Sequence, residues 1–533
     1  MRTLRWANLI GAGLLAGLLG TLTMALVMVA ARYWLGISPP PEASPDRFAP
    51  TLDIPTFFGL FDRYGGYNGL KKFGIRSGML GLLAVGTLVG AVYAVVVERD
   101  RGRGRDWPGG VSPWGVRFVA VAALTLWVAT LILLAPVLDA NYRGLAPSRA
   151  TVASALGLLA AYAAYGAVLI VAYRFLTRTV TVAAGTDTTA RPAQVGQALD
   201  RRALVGGVIG AALIWPSFAL LRRLYDRATF SYDGTRPPAI GLQGITPNDQ
   251  FYVVTKNVVD PQVTKAVWAL EVDGHVDEAR RYGFDDLAAL PNAEVEATLS
   301  CISNAIGDLL MSNAVWTGVP MRDLLAAAGV KDGAVEVVLH GADAYSDTFS
   351  IEKAMEPTTL VAYRMNGEAI PDRHGYPVRV VVPGLFGEKN VKWVTRIEVV
   401  DYNAKGFYEQ QGWGPTFVVP TRASQHDPDL RRDVKVGTEI VLKGNAFAGD
   451  RGISRVEISL DDAKTWQPAT IDYPSTGRSW ALWSHPWTPT RVGEVAIVVR
   501  AADGTCTLQP NEPRGIIPDG AAGYHRRVAK VVA

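Results

Sequence analysis

The sequence predicts a multi-domain chain: an all-α membrane bundle of five transmembrane helices, then an α+β domain, then an immunoglobulin-like β-sandwich. Three observations predict it. Five long apolar stretches without a charge fall in the N-terminal half. After residue 246, charges and turn residues recur between short apolar runs. Beyond Arg431 only short strand-like runs remain. The boundaries read 1–225 for the helical domain, 226–245 for a linker, 246–425 for the α+β domain and 426–533 for the sandwich.

The uncharged stretches are Leu9–Ala31, Ser77–Val97, Phe118–Leu138, Thr151–Tyr173 and Ala203–Leu221. A helix rising ~1.5 Å per residue crosses a ~30 Å hydrocarbon layer in about 20 residues, the length of each. Only 19% of the 533 residues are charged, against the ~25% of ordinary soluble chains. Arg2 and Arg5 give a basic start, but the first apolar run exceeds the ~7–15 residues of a signal peptide, so a retained helix is expected. Gly13/Gly17, Gly86/Gly90 and Gly206/Gly210 have the spacing that lets membrane helices approach closely.

Basic residues lean towards an N-terminus inside: Arg2 and Arg5, then Arg99 to Arg117, then Arg174 to Arg202. Arg201-Arg202 before an apolar helix resembles a Tat export signal, or anchors the helix at the cytoplasmic face. Both readings put the chain after residue 222 outside. No histidine precedes His275, which argues against haem between the helices. The apolar stretches carry no charge and so show no ion path, leaving an anchor or a docking site for a partner.

Ser231 to Thr246 is rich in Gly and Pro and reads as a linker. Phe251-Tyr252-Val253-Val254, Glu294–Ser300, Val335–Leu339 and Val378–Val382 read as strands. Met321 to Ala328 reads as a short helix closed by Gly329. In the last domain Thr438–Leu442, Ser454–Ser459, Val495–Ala501 and Arg526–Val532 read as strands between turns.

The net charge of +4 is too small for a nucleic-acid footprint, so no nucleic-acid partner is expected. Two cysteines, with no CxxC, exclude a disulfide scaffold, a zinc ribbon and c-type haem attachment. Cys301, at the end of a strand-like run, reads as a nucleophile, a metal ligand or a small buried hydrophobe. His374-Gly375-Tyr376-Pro377-Val378-Arg379 with Lys389-Asn390-Val391-Lys392-Trp393 gathers basic groups and loop glycines, suiting either phosphate binding or a solvated hairpin.

Several segments in order carry a resemblance. They are Thr246-Pro247-Asn248-Asp249-Gln250-Phe251-Tyr252, Ala297-Thr298-Leu299-Ser300-Cys301-Ile302-Ser303-Asn304, Trp316-Thr317-Gly318-Val319-Pro320, Asp343-Ala344-Tyr345 before Ile351-Glu352-Lys353-Ala354-Met355, Ala362-Tyr363-Arg364-Met365-Asn366-Gly367-Glu368, the His374 run, and Arg455 to Trp466. Together they resemble the sulfite-oxidase family of molybdenum enzymes, from about residue 246 to the C-terminus.

The resemblance implies a molybdopterin domain followed by a dimerisation-like sandwich, with molybdopterin and molybdenum as cofactors. It implies that Cys301 is the metal's thiolate ligand, a soft donor suited to a metal cycling by two electrons. Tyr345 matches a catalytic tyrosine beside the metal, and Lys256, Asn257, Asn304, His374, Arg379 and Lys392 match cofactor-contacting positions. The implied reaction is oxygen-atom transfer on a small-molecule substrate at an extracytoplasmic site of a multi-pass membrane protein. Asn304-Ala305-Ile306-Gly307 lacks the arginine that helps sulfite oxidases bind a dianion. A reductase of neutral S-oxides or N-oxides, of the methionine-sulfoxide type, is therefore the alternative to sulfite oxidation. A non-catalytic binding module on a membrane anchor is the alternative of another class. Electrons would pass to or from a separate protein or a quinone-linked partner, and a homodimer is implied by analogy with the sandwich.

Overall fold

A computed structural model of the protein describes residues 2–101, 111–177, 195–225 and 242–533. The expected linker lies outside the described residues except for 242–245. The N-terminal half is helical: α1 (Arg2–Leu35), α2 (Pro40–Phe48), α3 (Ile54–Tyr64), α4 (Tyr67–Arg101), α5 (Pro113–Leu134), α6 (Pro147–Thr177) and α7 (Val195–Tyr225). Among the described residues, four helices are long and apolar enough to cross a membrane, over Trp6–Leu35, Gly69–Arg101, Pro113–Val137 and Pro147–Thr177. The fifth apolar stretch lies within α7, which packs against α1 and α6 but is not among those four.

Two of the Gly-x-x-x-Gly pairs meet. A Cβ on Gly13 would lie 2.5 Å from the Gly90 carbonyl oxygen, and one on Gly17 2.6 Å from that of Gly86. The α1–α4 crossing thus depends on missing side chains. Gly210 makes no such approach: its Cβ would sit 3.4 Å from Leu19.

The chain between α1 and α4 is not the plain loop that its prolines suggest. Pro39, Pro40 and Pro41 introduce α2, as suits a residue type without a free N–H at a helix start. Asp53 caps α3 by accepting from Thr56 N at 2.8 Å, and Gly65 (φ 73°) closes it. Phe57, Phe58 and Phe61 then gather near one side of α3, two of them a turn apart.

The first sheet of the α+β unit has the order β2 (Arg280–Gly283), β1 (Ala269–Gly274), β10 (Val394–Val400), β5 (Glu336–Gly341), β6 (Ser346–Ser350). Only β1 and β10 run parallel in it. The second joins β3 (Ala293–Ser300), β4 (Met311–Pro320), β7 (Leu360–Met365) and β8 (Glu368–Ala369), with β9 (Arg379–Val381) pairing β7. Three short helices, α8 (Phe284–Ala288), α9 (Met321–Ala328) and α10 (Ile351–Ala354), complete the unit. The expected α9 forms as read, with Gly329 in the left-handed region (φ 71°) as its stop. Its Leu324 and Leu325 enter a core with Val272, Leu339 and Trp393.

Phe251–Val254 does not form the expected strand. Val253 makes a single bridge, and the backbone of Tyr252 bonds the Ser312 hydroxyl at 3.1 Å instead of a ladder partner. The two aromatic rings stack nearly parallel, centroids 5.5 Å apart, so an apolar run reads as strand while forming a cavity wall.

The last unit is two stacked sheets. One has the order β11 (Arg422–Asp427), β13 (Ile440–Phe447), β17 (Ala481–Trp487), β16 (Thr470–Tyr473). The other has the order β12 (Val434–Lys435), β19 (His525–Val532), β18 (Gly493–Asp503), β14 (Ile453–Ser459), β15 (Gln467–Pro468). Leu442, Trp483, Ile458 and Val499 share the core between them. The strand expected over Thr438–Leu442 starts at Ile440 and runs on to Phe447. Strand β17 escaped detection because His485 and Pro486 interrupt its alternation.

The α+β unit docks on the helix end that carries the C-terminus of α1 and the N-termini of α4 and α6. Gln262 N bonds Tyr142 O at 3.0 Å, Thr264 N bonds Arg143 O at 2.9 Å, and Ser148 Oγ bonds Glu271 at 2.7 Å. Two backbone bonds across the contact make it a strand-like seam rather than a loose tether.

Candidate active site

Strand β3 ends at Ser300, and the chain turns away at Cys301 because Asn304 and Gly307 build a tight loop. Asn304 Oδ1 accepts from Leu310 N at 2.9 Å, Cys301 N bonds Leu310 O at 3.0 Å, and Gly307 holds φ 90°. Cys301 is 9% exposed and its sulfur lies 3.0 Å from the Ser303 hydroxyl. Burial pushes the thiol up to about 11, so without a metal it is neutral. A metal taking this sulfur must displace the proton.

The loop is braced from the sandwich. Buried Arg422 donates to the carbonyls of Asn304 at 3.1 Å and Ala305 at 2.8 Å. His525 packs on Gly307, and its Nδ1 accepts from Gln425 N at 2.9 Å. That bond requires the neutral ring, and burial pushes His525 from 6.5 down to about 3. The unfolded chain therefore binds the extra proton first as the solution is acidified. The stability from this site is whole above about pH 6.5 and falls towards pH 3, by up to ~1.4 kcal/mol per pH unit. Denaturant midpoints of wild type and His525→Gln between pH 7.5 and pH 5 check this: the variant's pH slope is expected to be shallower.

Lys256, Cys301, Tyr345, His374, Arg379 and Lys392 line one cavity of about 280 Å³. Six of the residues expected from sequence thus converge from distant segments. The other two stand behind the wall. Asn257 is fully buried, donating to Asp343 Oδ2 at 2.7 Å and accepting from Tyr142 at 3.3 Å. Asn304 shapes the cysteine loop and does not line the cavity.

One part of the cavity is cationic. Arg379, on β9, donates to the His374 carbonyl at 3.0 Å and the Asn390 carbonyl at 2.9 Å, while its buried Nε has no partner. Burial lowers it to about 10, which leaves it charged at neutral pH. Lys392 donates to the carbonyls of Val254 and Arg373, both at 3.1 Å. His374 donates Nε2–H to Asn248 O at 2.9 Å, and burial pushes it down to about 3, so it is a neutral donor. Gly375 (φ 113°) lets these elements close up: a Cβ there would sit 3.0 Å from Arg379 Cβ and 3.2 Å from Lys392 Cα.

Around Tyr345 the cavity is acidic and aromatic. Its hydroxyl donates to Asp347 at 2.7 Å, and Asp347 in turn holds Lys389 at 2.6 Å. Glu388 lines the cavity, and burial beside Asp347 raises its carboxyl well above the usual range. Ala344 (φ 60°) and Trp393 (φ 52°) hold left-handed backbone beside the cavity, a conformation that clusters at functional sites.

Sequence reasoning missed Glu388, Tyr408, Trp413, Phe61, Gly65 and Gly66, all of which line the cavity. Glu388 sits inside the Lys389–Trp393 neighbourhood and was legible in principle. Phe61, Gly65 and Gly66 come from the N-terminal helical half, and no local motif marks them.

The donor set fits a molybdopterin group. Among the described residues no three of His, Cys, Asp and Glu come together as a metal site. A metal here would take one protein sulfur from Cys301 and its remaining ligands from a cofactor. Arg379, with an unused N–H, and the nearby Arg373 and Lys392 suit the cofactor's phosphate. The cavity's size lies near the lower end of ligand pockets, ~300–1,000 Å³.

Comparison with known proteins agrees. The family described as oxidoreductase molybdopterin binding domain matches residues 257–408, and the Mo-co oxidoreductase dimerisation domain matches 418–527. Sulfite oxidase of Gallus gallus is 31% identical over 327 residues, 52% of this chain and 70% of that protein. Mitochondrial sulfite oxidase of Rattus norvegicus is 29% identical over 56% of this chain, which spans 64% of that protein's length. Nitrate reductase [NADH] of Volvox carteri is 29% identical over 50% of this chain and 38% of its own. The crystal structure of the sulfane dehydrogenase SoxCD from Paracoccus pantotrophus superposes with a TM-score of 0.51 at 25% identity, covering 56% of this chain and 86% of that one. The chain belongs to the sulfite-oxidase family of molybdopterin-dependent oxidoreductases.

Proposed function

We propose that the protein is a membrane-anchored molybdenum oxidoreductase that carries out two-electron oxygen-atom transfer on a small substrate. The convergence of the Cys301 sulfur, the Tyr345 ring and the Arg379–Lys392 cations on one cavity carries this reading. The bound cofactor supplies the two-electron, oxygen-accepting chemistry. Cys301 holds the metal through its thiolate. Arg379, Lys392 and the neutral His374 hold and orient the pterin end. Tyr345, its hydroxyl held by Asp347, turns its ring and phenol oxygen to the substrate end, where Glu388, its carboxyl raised by burial, also lies. Asn257 and Asn304 act as supports of the wall and the cysteine loop.

Neutral S-oxides or N-oxides are the favoured substrates over sulfite. The cysteine loop is free of basic residues, and Lys256 lies 3.1 Å from the carboxylate of Asp46. We place the catalytic unit outside the cytoplasmic membrane, with α7 as a fifth span and Arg201-Arg202 as a Tat-type signal. The charge distribution of the loops supports this. The domain boundaries at about 225, 245 and 425, an immunoglobulin-like sandwich that pairs two copies, and a separate or quinone-linked electron partner belong to the same reading.

The test is metal analysis of the purified chain from a cofactor-competent host, followed by turnover of sulfite, S-oxides and N-oxides. About one molybdenum per chain and turnover of an S-oxide or N-oxide are expected. A well-folded protein without metal or turnover would sink the reading and leave the binding module.

A further inference from the structure

The segment between α1 and α4 belongs to the membrane half, yet it reaches the catalytic cavity. Phe61, Gly65 and Gly66 line the same cavity as Cys301. Phe57, at the base of this segment, is fully buried in a cluster with Phe407, and Phe58 meets Trp413 edge-on at 5.6 Å. The segment is therefore packed onto the catalytic unit and does not merely lie near it.

Its second contribution is charge. Asp46, on α2, is 5% exposed. One of its carboxylate oxygens lies 2.6 Å from Lys71 of α4 and the other 3.1 Å from Lys256. Lys256 is one of two lysines lining the cavity, and its ammonium also donates to the Asp343 carbonyl at 2.8 Å. A carboxylate from the membrane half thus faces a cation of the active site. An anion entering beside Lys256 would meet that carboxylate's field in a poorly screened setting.

We propose that this segment is a specificity wall, in which Asp46 offsets the charge of Lys256 and Phe61 supplies an apolar face. The cavity thereby disfavours small dianions and favours neutral substrates that carry an apolar substituent. The substrate class rests on the oxygen-transfer reading above, whereas the charge effect does not depend on turnover. Asp46 and Phe61 are then specificity-determining residues.

The experiment uses the full, molybdenum-loaded chain in detergent. Sulfate binding is followed by isothermal titration calorimetry. Asp46→Asn is expected to bind sulfate about tenfold more tightly than wild type, and Asp46→Glu to restore the weak binding. Phe61→Ala is expected to raise KM for methyl phenyl sulfoxide about tenfold with kcat kept, the size of a lost apolar contact. Equal sulfate affinity in folded wild type and Asp46→Asn, or an unchanged KM in Phe61→Ala, overturns the wall. Should Asp46→Asn fail to fold, Phe61→Ala decides alone. Should no oxide be turned over, the oxygen-transfer reading falls, and the sulfate comparison still decides the charge effect.

Discussion

Cys301→Ser is expected to abolish turnover, by on the order of 10³-fold, or ~4 kcal/mol of barrier, while leaving the fold in place. The side chain is small, and its hydroxyl replacement fits the same space beside Ser303. What is lost is a soft sulfur donor, which an alcohol does not replace on a high-valent metal. Three readings check it together: metal per chain, the visible absorption of the thiolate-bound metal, and turnover with the best substrate. The far-ultraviolet circular dichroism is expected to stay unchanged. A variant that keeps both the absorption and the rate would show that Cys301 is only a buried hydrophobe.

The second large effect is on stability. Trp316 on β4 is fully buried, with its ring under the Arg379 guanidinium at 4.9 Å and edge-on to Phe251 at 5.7 Å. Its Nε1–H donates to the Ala297 carbonyl at 3.3 Å, two turns of the pleat before the cysteine loop. Trp316→Ala removes this packing and leaves a void, a change worth ~3–5 kcal/mol. At roughly 2–4 °C per kcal/mol for a unit of this size, the melting temperature of the catalytic unit is expected to fall by about 6–20 °C. Cofactor retention is expected to fall with it, because the ring is the floor beneath Arg379. Differential scanning calorimetry and pterin fluorescence of the released cofactor measure the two effects. A drop in stability with full cofactor retention would separate the floor from the site.

The sequence was legible where a local pattern had a local cause. Apolar stretches of membrane length became helices, because a helix satisfies its own backbone in lipid. Residues 321–328 declared a helix through its apolar spacing and its Gly329 stop. Cys301, His374, Arg379 and Lys392 were singled out through resemblance, which reads ordered segments and not distances; the structure adds that they line one cavity. Phe251–Val254 misled, because an apolar run looks the same on a cavity wall as in a sheet. Strand β17 hid because its Pro486 and His485 break the alternation that periodicity detects.

By itself the sequence determined that this chain joins a half of helices long and apolar enough to cross a membrane to a molybdopterin-type half, and which sulfur and cations the second half offers. Those properties reside in runs of neighbouring residues, whose chemistry survives without coordinates. Only the tertiary structure decided that Phe61, Gly65 and Gly66 wall the cavity, that Asp46 faces Lys256, and that Arg422 and His525 brace the cysteine loop. Each of these joins segments far apart in the chain, through pairings whose energy depends on packing and burial and leaves no periodic trace in the sequence.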